Sequence, residues 1–185
     1  ISALATNFWW VIFKPRIIIG NPLTDFSFTL DRFVGSPASQ TIYFGLSLFT
    51  WALLVTSTAC LPLIKIVFTL RKKILQPVAL ISLLYIVSLV QYLFLPQMHE
   101  RYLFPFIPLM AMTIGLTGKN LWLFIAISLL NFLNLYLVWH PMVGVSLPYA
   151  LMNNVNFQWS ISVFTVILGL VLYVKMYKQI LAKKT

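Results

Sequence analysis

Residues 42–64 read IYFGLSLFTWALLVTSTACLPLI, 23 positions without a charge, closed by Lys65. At ~1.5 Å of rise per residue such a helix runs ~34 Å, enough for a hydrocarbon core of ~30 Å. Four more apolar runs follow, at 78–95, 102–118, 121–139 and 159–174. The whole chain agrees with them: 61% of its 185 residues are hydrophobic, 9% are charged, and the mean hydropathy is +0.93. Soluble domains sit near 45–50% and ~25% on comparable counts. So few charges cannot cover a water-facing surface, and disorder requires low hydrophobicity instead. The expected fold class is all-α integral membrane, a polytopic bundle of about five transmembrane helices.

The run at 102–118 is the short one, about 26 Å of helix. Pro105 falls in its first turn, and Pro108 is expected to kink it. Charge asymmetry favours counting it as a span. With five spans, one side receives nine cations: Lys65, Arg71, Lys72, Lys73, Lys119, Lys175, Lys178, Lys183 and Lys184. The other receives Lys14, Arg16, Arg32 and Arg101 with all three acids, Asp25, Asp31 and Glu100. The positive-inside rule puts the nine, and the C-terminus, in the cytoplasm. Aromatics fit that frame, with Tyr43, Tyr92, Tyr102, Trp139 and Trp159 at outer boundaries and Trp122, Tyr173 and Tyr177 at inner ones.

The net charge of +10 does not indicate nucleic acid, because the cations lie in short tracts between apolar runs and form no basic face on a soluble body. Cys60 is the only cysteine, and no Cys/His spacing suits zinc. The chain opens on Ile1 without signal-peptide order and is expected to be the C-terminal part of something longer. Residues 1–40 form an outer-face juxtamembrane or interfacial segment ahead of the bundle at 41–185. Within it, LATNFWWVIF (4–13) is too short to span, and Gly20-Asn21-Pro22 marks a turn.

None of the five runs contains Asp, Glu, Lys or Arg. Ion-coupled transporters carry ionisable groups at membrane depth, which weighs against a transporter or flippase fragment. The polar residues inside the runs are mild. Asn131 and Asn134, three apart on one helix face, read first as interhelical hydrogen-bonding groups. The densest chemistry is PQMHERYLFP at 96–105, between the second and third runs. A tight solvated turn explains it without function, as does a non-catalytic scaffold. A site at the mouth of the bundle is the alternative: Arg101 pairs a phosphate, His99 assists, Glu100 orients Arg101 or a sugar hydroxyl, and Tyr102 anchors the turn.

The string MHERYLFP (98–105), with an apolar run before it and a proline-containing one after it, resembles a segment in the C-terminal half of bacterial and archaeal GT-C glycosyltransferases, in particular membrane mannosyltransferases related to the GPI mannosyltransferase II family. The opening Ala5-Thr6-Asn7-Phe8-Trp9-Trp10 is similar to their Asn-aromatic-Trp segment. The resemblance implies transfer of a hexose, expected to be mannose, from a polyprenyl-phosphate donor to a glycan, lipid or protein acceptor on the non-cytoplasmic face. It implies substrate-binding roles for His99, Glu100, Arg101 and Tyr102, in a bacterial plasma membrane, or the ER membrane in a eukaryote. The catalytic Asp of the family lies in its first outer loop, so the base is expected upstream of Ile1. Asp25 and Asp31 do not match that position and read as loop residues. No cofactor beyond the lipid-linked donor is expected. A metal held by His99, Glu100, His140 and an outer Asp lacks ligand spacing.

Overall fold

The computed structural model describes residues 8–9, 11–12, 42–70, 76–95, 103–143 and 155–182, and these are mostly helical. A two-strand hairpin, β1 (Ile42–Tyr43) and β2 (Leu46–Ser47), leads into five helices: α1 (Leu48–Leu70), α2 (Pro77–Phe94), α3 (Phe106–Thr117), α4 (Leu121–Val143) and α5 (Val155–Ala182). Three of them are long and apolar enough to cross a membrane, over Phe49–Phe68, Pro77–Phe94 and Asn156–Ile180. Phe106–Thr117 and Leu121–Tyr136 are shorter apolar helical stretches.

Local chemistry fixes the boundaries, and several differ from the sequence expectation. The first apolar run starts with a hairpin because Phe44 (φ 50°) and Gly45 (φ 79°) both take the left-handed conformation that closes a two-residue turn. Ser47 then caps α1, its Oγ accepting from the Thr50 N–H at 3.1 Å. The helix continues past Lys65 to Leu70. Pro77 occupies the first turn of α2, where no intrahelical donor is lost. α3 is only 12 residues long, because Pro105 lies before it as the capping residue. Pro108 therefore falls in its first turn, where proline is tolerated, and needs no kink. Gly118 (φ 66°) ends α3, its N–H reaching the Ile114 carbonyl at 2.7 Å. α4 runs through His140-Pro141 to Val143 instead of stopping at the histidine.

α2 is the hub, packed on α1, α3 and α5, while α4 packs mainly on α5. Its buried face supplies Tyr85, Ile86, Leu89, Val90 and Leu93 to a core completed by Ile66, Phe106, Met110, Leu123 and Leu172. Tyr85 and Phe106 meet edge to face at 5.7 Å between centroids. At Gly169 α5 lies tight against α2: a Cβ there would lie 2.8 Å from Leu93 Cδ1. That contact fixes relative heights. Gly169 is 14 residues (169 − 155) from the start of α5, about 21 Å along its axis, with 13 residues (182 − 169) still to follow. α2 ends one residue after Leu93, so it stops about half-way along α5.

Candidate functional site

Two helix ends and a brace form the candidate site. Leu95 leaves the helix with ψ 137°, as a residue before a proline must, which frees the last carbonyls of α2. The Leu95 N–H takes the Gln91 carbonyl at 3.0 Å. The Phe94 carbonyl is taken by Trp9, whose indole Nε1–H donates to it at 2.6 Å. Phe8 packs edge to face on Phe94 at 5.4 Å and on Trp9 at 5.3 Å. Two residues on, the Val11 carbonyl accepts from Trp159 Nε1 at 3.3 Å. The helical residues Phe8, Trp9, Val11 and Ile12 thus tie the end of α2 to the first turns of α5. On the return strand of chain, Leu103 and Phe106 are fully buried, and the Ile107 N–H bonds the Phe104 carbonyl at 3.2 Å.

At the same level lies a buried neutral polar layer. Asn134 and Tyr92 are both fully enclosed, and Asn134 Nδ2 donates to the Tyr92 hydroxyl at 3.0 Å. This is the interhelical bond expected of that asparagine; Tyr92 is its partner and not an interfacial ring. Asn131, Ser162 and Thr165 are buried too. Ser162 and Thr165 return their hydroxyl protons to the carbonyls of Gln158 and Ile161, which satisfies them within their own helix. Among the described residues the buried carboxamide oxygens of Asn131 and Asn134 have no hydrogen-bond partner. Each such acceptor away from water costs about 1–3 kcal/mol. The layer therefore offers acceptors suited to a hydroxyl donor.

A small recess below it, lined by Ala59, Leu89, Val90, Leu93, Phe94, Leu170 and Tyr173, is apolar. Tyr173 closes its floor by donating to the Ala59 carbonyl at 2.7 Å. Its hydroxyl is thus bound to α1 and not placed as a free interfacial anchor.

The sequence-derived site residues His99, Glu100, Arg101 and Tyr102 lie outside the described residues, as do Asp25 and Asp31. The described residues include what borders them: Phe94 and Leu95 on one side, Leu103 to Phe106 on the other, with Phe94, Leu103 and Phe106 in the same core. Among the described residues there is no group of three or more His, Cys, Asp or Glu that could hold a metal. Sequence reasoning missed Trp9 as a brace and Tyr92 as a buried partner. For the first a signal existed, since Pro96 forces an early helix end whose carbonyls need donors. Comparison with known proteins finds no matching family model, no matching curated protein and no matching solved structure.

Proposed function

We propose that the chain is the C-terminal, membrane-embedded part of a GT-C-type glycosyltransferase, with the segment 96–102 as the binding element for a lipid-linked sugar donor. The supporting observation is the frame around that segment: the end of α2, which stops about half-way along α5 and is braced by Trp9 and Trp159, and the buried Leu103 and Phe106 where the chain enters α3. The polar segment, in this reading, faces the non-cytoplasmic side, where it meets a substrate whose tail is in lipid and whose head is not. In this reading all five helices belong to one bundle in the bilayer. Exposed apolar residues such as Phe49, Leu53, Leu61, Ile64 and Phe68 on α1 face hydrocarbon, a surface that water would penalise. Every buried polar residue of the described part is neutral, which suits sugar hydroxyls better than ion-coupled transport.

The step is a displacement at the anomeric carbon. The acceptor hydroxyl oxygen forms the new bond to that carbon, the bond to the phosphate oxygen breaks, and polyprenyl phosphate leaves with the electron pair. The acceptor proton passes to a carboxylate base, which the resemblance puts in the first outer loop of the full-length enzyme. Arg101 pairs the phosphate as its charge develops, with His99 beside it and Glu100 orienting Arg101 or the sugar; Tyr102 anchors the turn. In the whole protein, Arg101→Ala is expected to cut transfer about 10²–10³-fold, as loss of one charge-stabilising donor does elsewhere. Membrane insertion is expected to stay intact. Normal turnover in that variant sinks the phosphate role, and no transfer from any polyprenyl-phosphate sugar by the wild type sinks the enzyme reading.

A further inference from the structure

We propose that the Ala182 end of the bundle carries a binding site for the headgroup of an anionic phospholipid, formed by Lys119, Lys175 and Lys178. The inference rests on the chain crossing a bilayer and is independent of sugar transfer. Asn120 joins the two segments that carry the three lysines. Its Nδ2 donates to Gln179 Oε1 at 3.2 Å and contacts Met176 Sδ at 3.3 Å, which ties the α3–α4 link to the turn of α5 that carries the cations. Lys119 directly precedes Asn120, and Lys175 and Lys178 are three apart on neighbouring positions of one helix face. All three are exposed. Lys175 is held with its ammonium 5.2 Å from the centre of the Trp122 ring.

Among the described residues no carboxylate competes for them, since these contain no Asp or Glu. Three exposed ammonium groups carried on two segments that Asn120 joins, with no counter-charge among the described residues, suit an anion from outside. A second feature identifies that anion as part of a lipid. From Trp122 an apolar stripe rises along α4 through Ile125, Leu129 and Phe132, each more than half exposed. The spacing of 3, 4 and 3 keeps them on one helix face. A phosphate among the lysines therefore stands at the foot of a track that fits an acyl chain, with Trp122 at the level where an indole meets headgroups. A soluble anion uses the lysines but gains nothing from the stripe.

The test uses the full chain in nanodiscs of mixed phosphatidylglycerol and phosphatidylcholine, with retained lipids counted by native mass spectrometry. Wild type is expected to keep phosphatidylglycerol at least about ten-fold over phosphatidylcholine. Each of Lys119→Gln, Lys175→Gln and Lys178→Gln is expected to lower that preference up to about five-fold. Lys65→Gln, on α1, is expected to leave it unchanged. An unchanged preference in the triple variant, checked as monodisperse and resistant to alkaline extraction, overturns the site; if that variant does not fold, equal preference in all three single variants does so. Loss of the preference on adding millimolar inorganic phosphate overturns the lipid assignment in favour of a free-anion site. Failure of wild type to incorporate into either lipid overturns the membrane reading itself, whereas incorporation without preference overturns only the lipid site.

Discussion

Replacing Tyr92 by Phe removes one oxygen from the layer at the end of α2 and leaves Asn134 Nδ2 without its acceptor. The Asn134 side chain is 0% exposed, and its Oδ1 has no partner among the described residues, so Tyr92→Phe leaves the carboxamide without any hydrogen bond that they supply. Hydrogen bonds between membrane helices average about 0.6 kcal/mol, whereas orphaning a buried polar group costs about 1–3 kcal/mol. We expect Tyr92→Phe to cost about 1–2 kcal/mol. Asn134→Leu has a different balance. It deletes the donor and the unpaired oxygen together and keeps the same number of side-chain heavy atoms in a branched shape, so it costs less. The double variant Tyr92→Phe/Asn134→Leu is then more stable than Tyr92→Phe alone by about 1 kcal/mol, because replacing both partners by apolar groups removes the desolvation penalty. The assay is reversible unfolding in mixed detergent micelles followed by circular dichroism, with all four proteins run as a cycle. If the two substitutions simply add, so that the double variant is the least stable, the reasoning about the orphaned amide is refuted.

Other perturbations probe other parts of the structure. Gly169→Val brings a branched side chain into Leu93 Cδ1, and thermal unfolding in detergent should show a loss of about 1–3 kcal/mol, partly recovered by adding Leu93→Ala. Gly118→Val places a β-branched residue at φ 66° and is expected to cost about 1–2 kcal/mol in the same measurement, with Gly118→Asn milder. Trp9→Phe keeps a ring but loses the bond to the Phe94 carbonyl, so amide exchange at the end of α2 should speed up about five-fold, while exchange at Leu172 stays unchanged.

The helical character, with helices long and apolar enough to cross a membrane, was legible because it follows from composition and run length, which survive any error in a boundary. The helix at 77–94 was readable almost to the residue, since Pro77 and Pro96 punctuate it chemically. Residues 42–47 were not, because an apolar run has no period that separates hairpin from helix. Only the backbone angles of Phe44 and Gly45 separate them. Asn131 and Asn134 stood out as polar in an apolar run, whereas Tyr92 was hidden by its own chemistry, an amphipathic ring that suits an interface and a buried bond equally well. Trp9 and Trp159 could not be paired from sequence at all. Their link through Val11 spans 148 positions, and nothing local marks it.

That link also has a meaning in time. A ribosome adds roughly 5–20 residues per second, so Trp159 is made about 7–30 s after Val11. Through that interval the segment around Trp9 has no Trp159 indole to take its Val11 carbonyl. The brace becomes complete only when the last helix is in place, so the finished arrangement at the end of α2 is a late product of biosynthesis. A nascent chain arrested before Val155 should accordingly carry its first four helices with the brace around Trp9 left half-made.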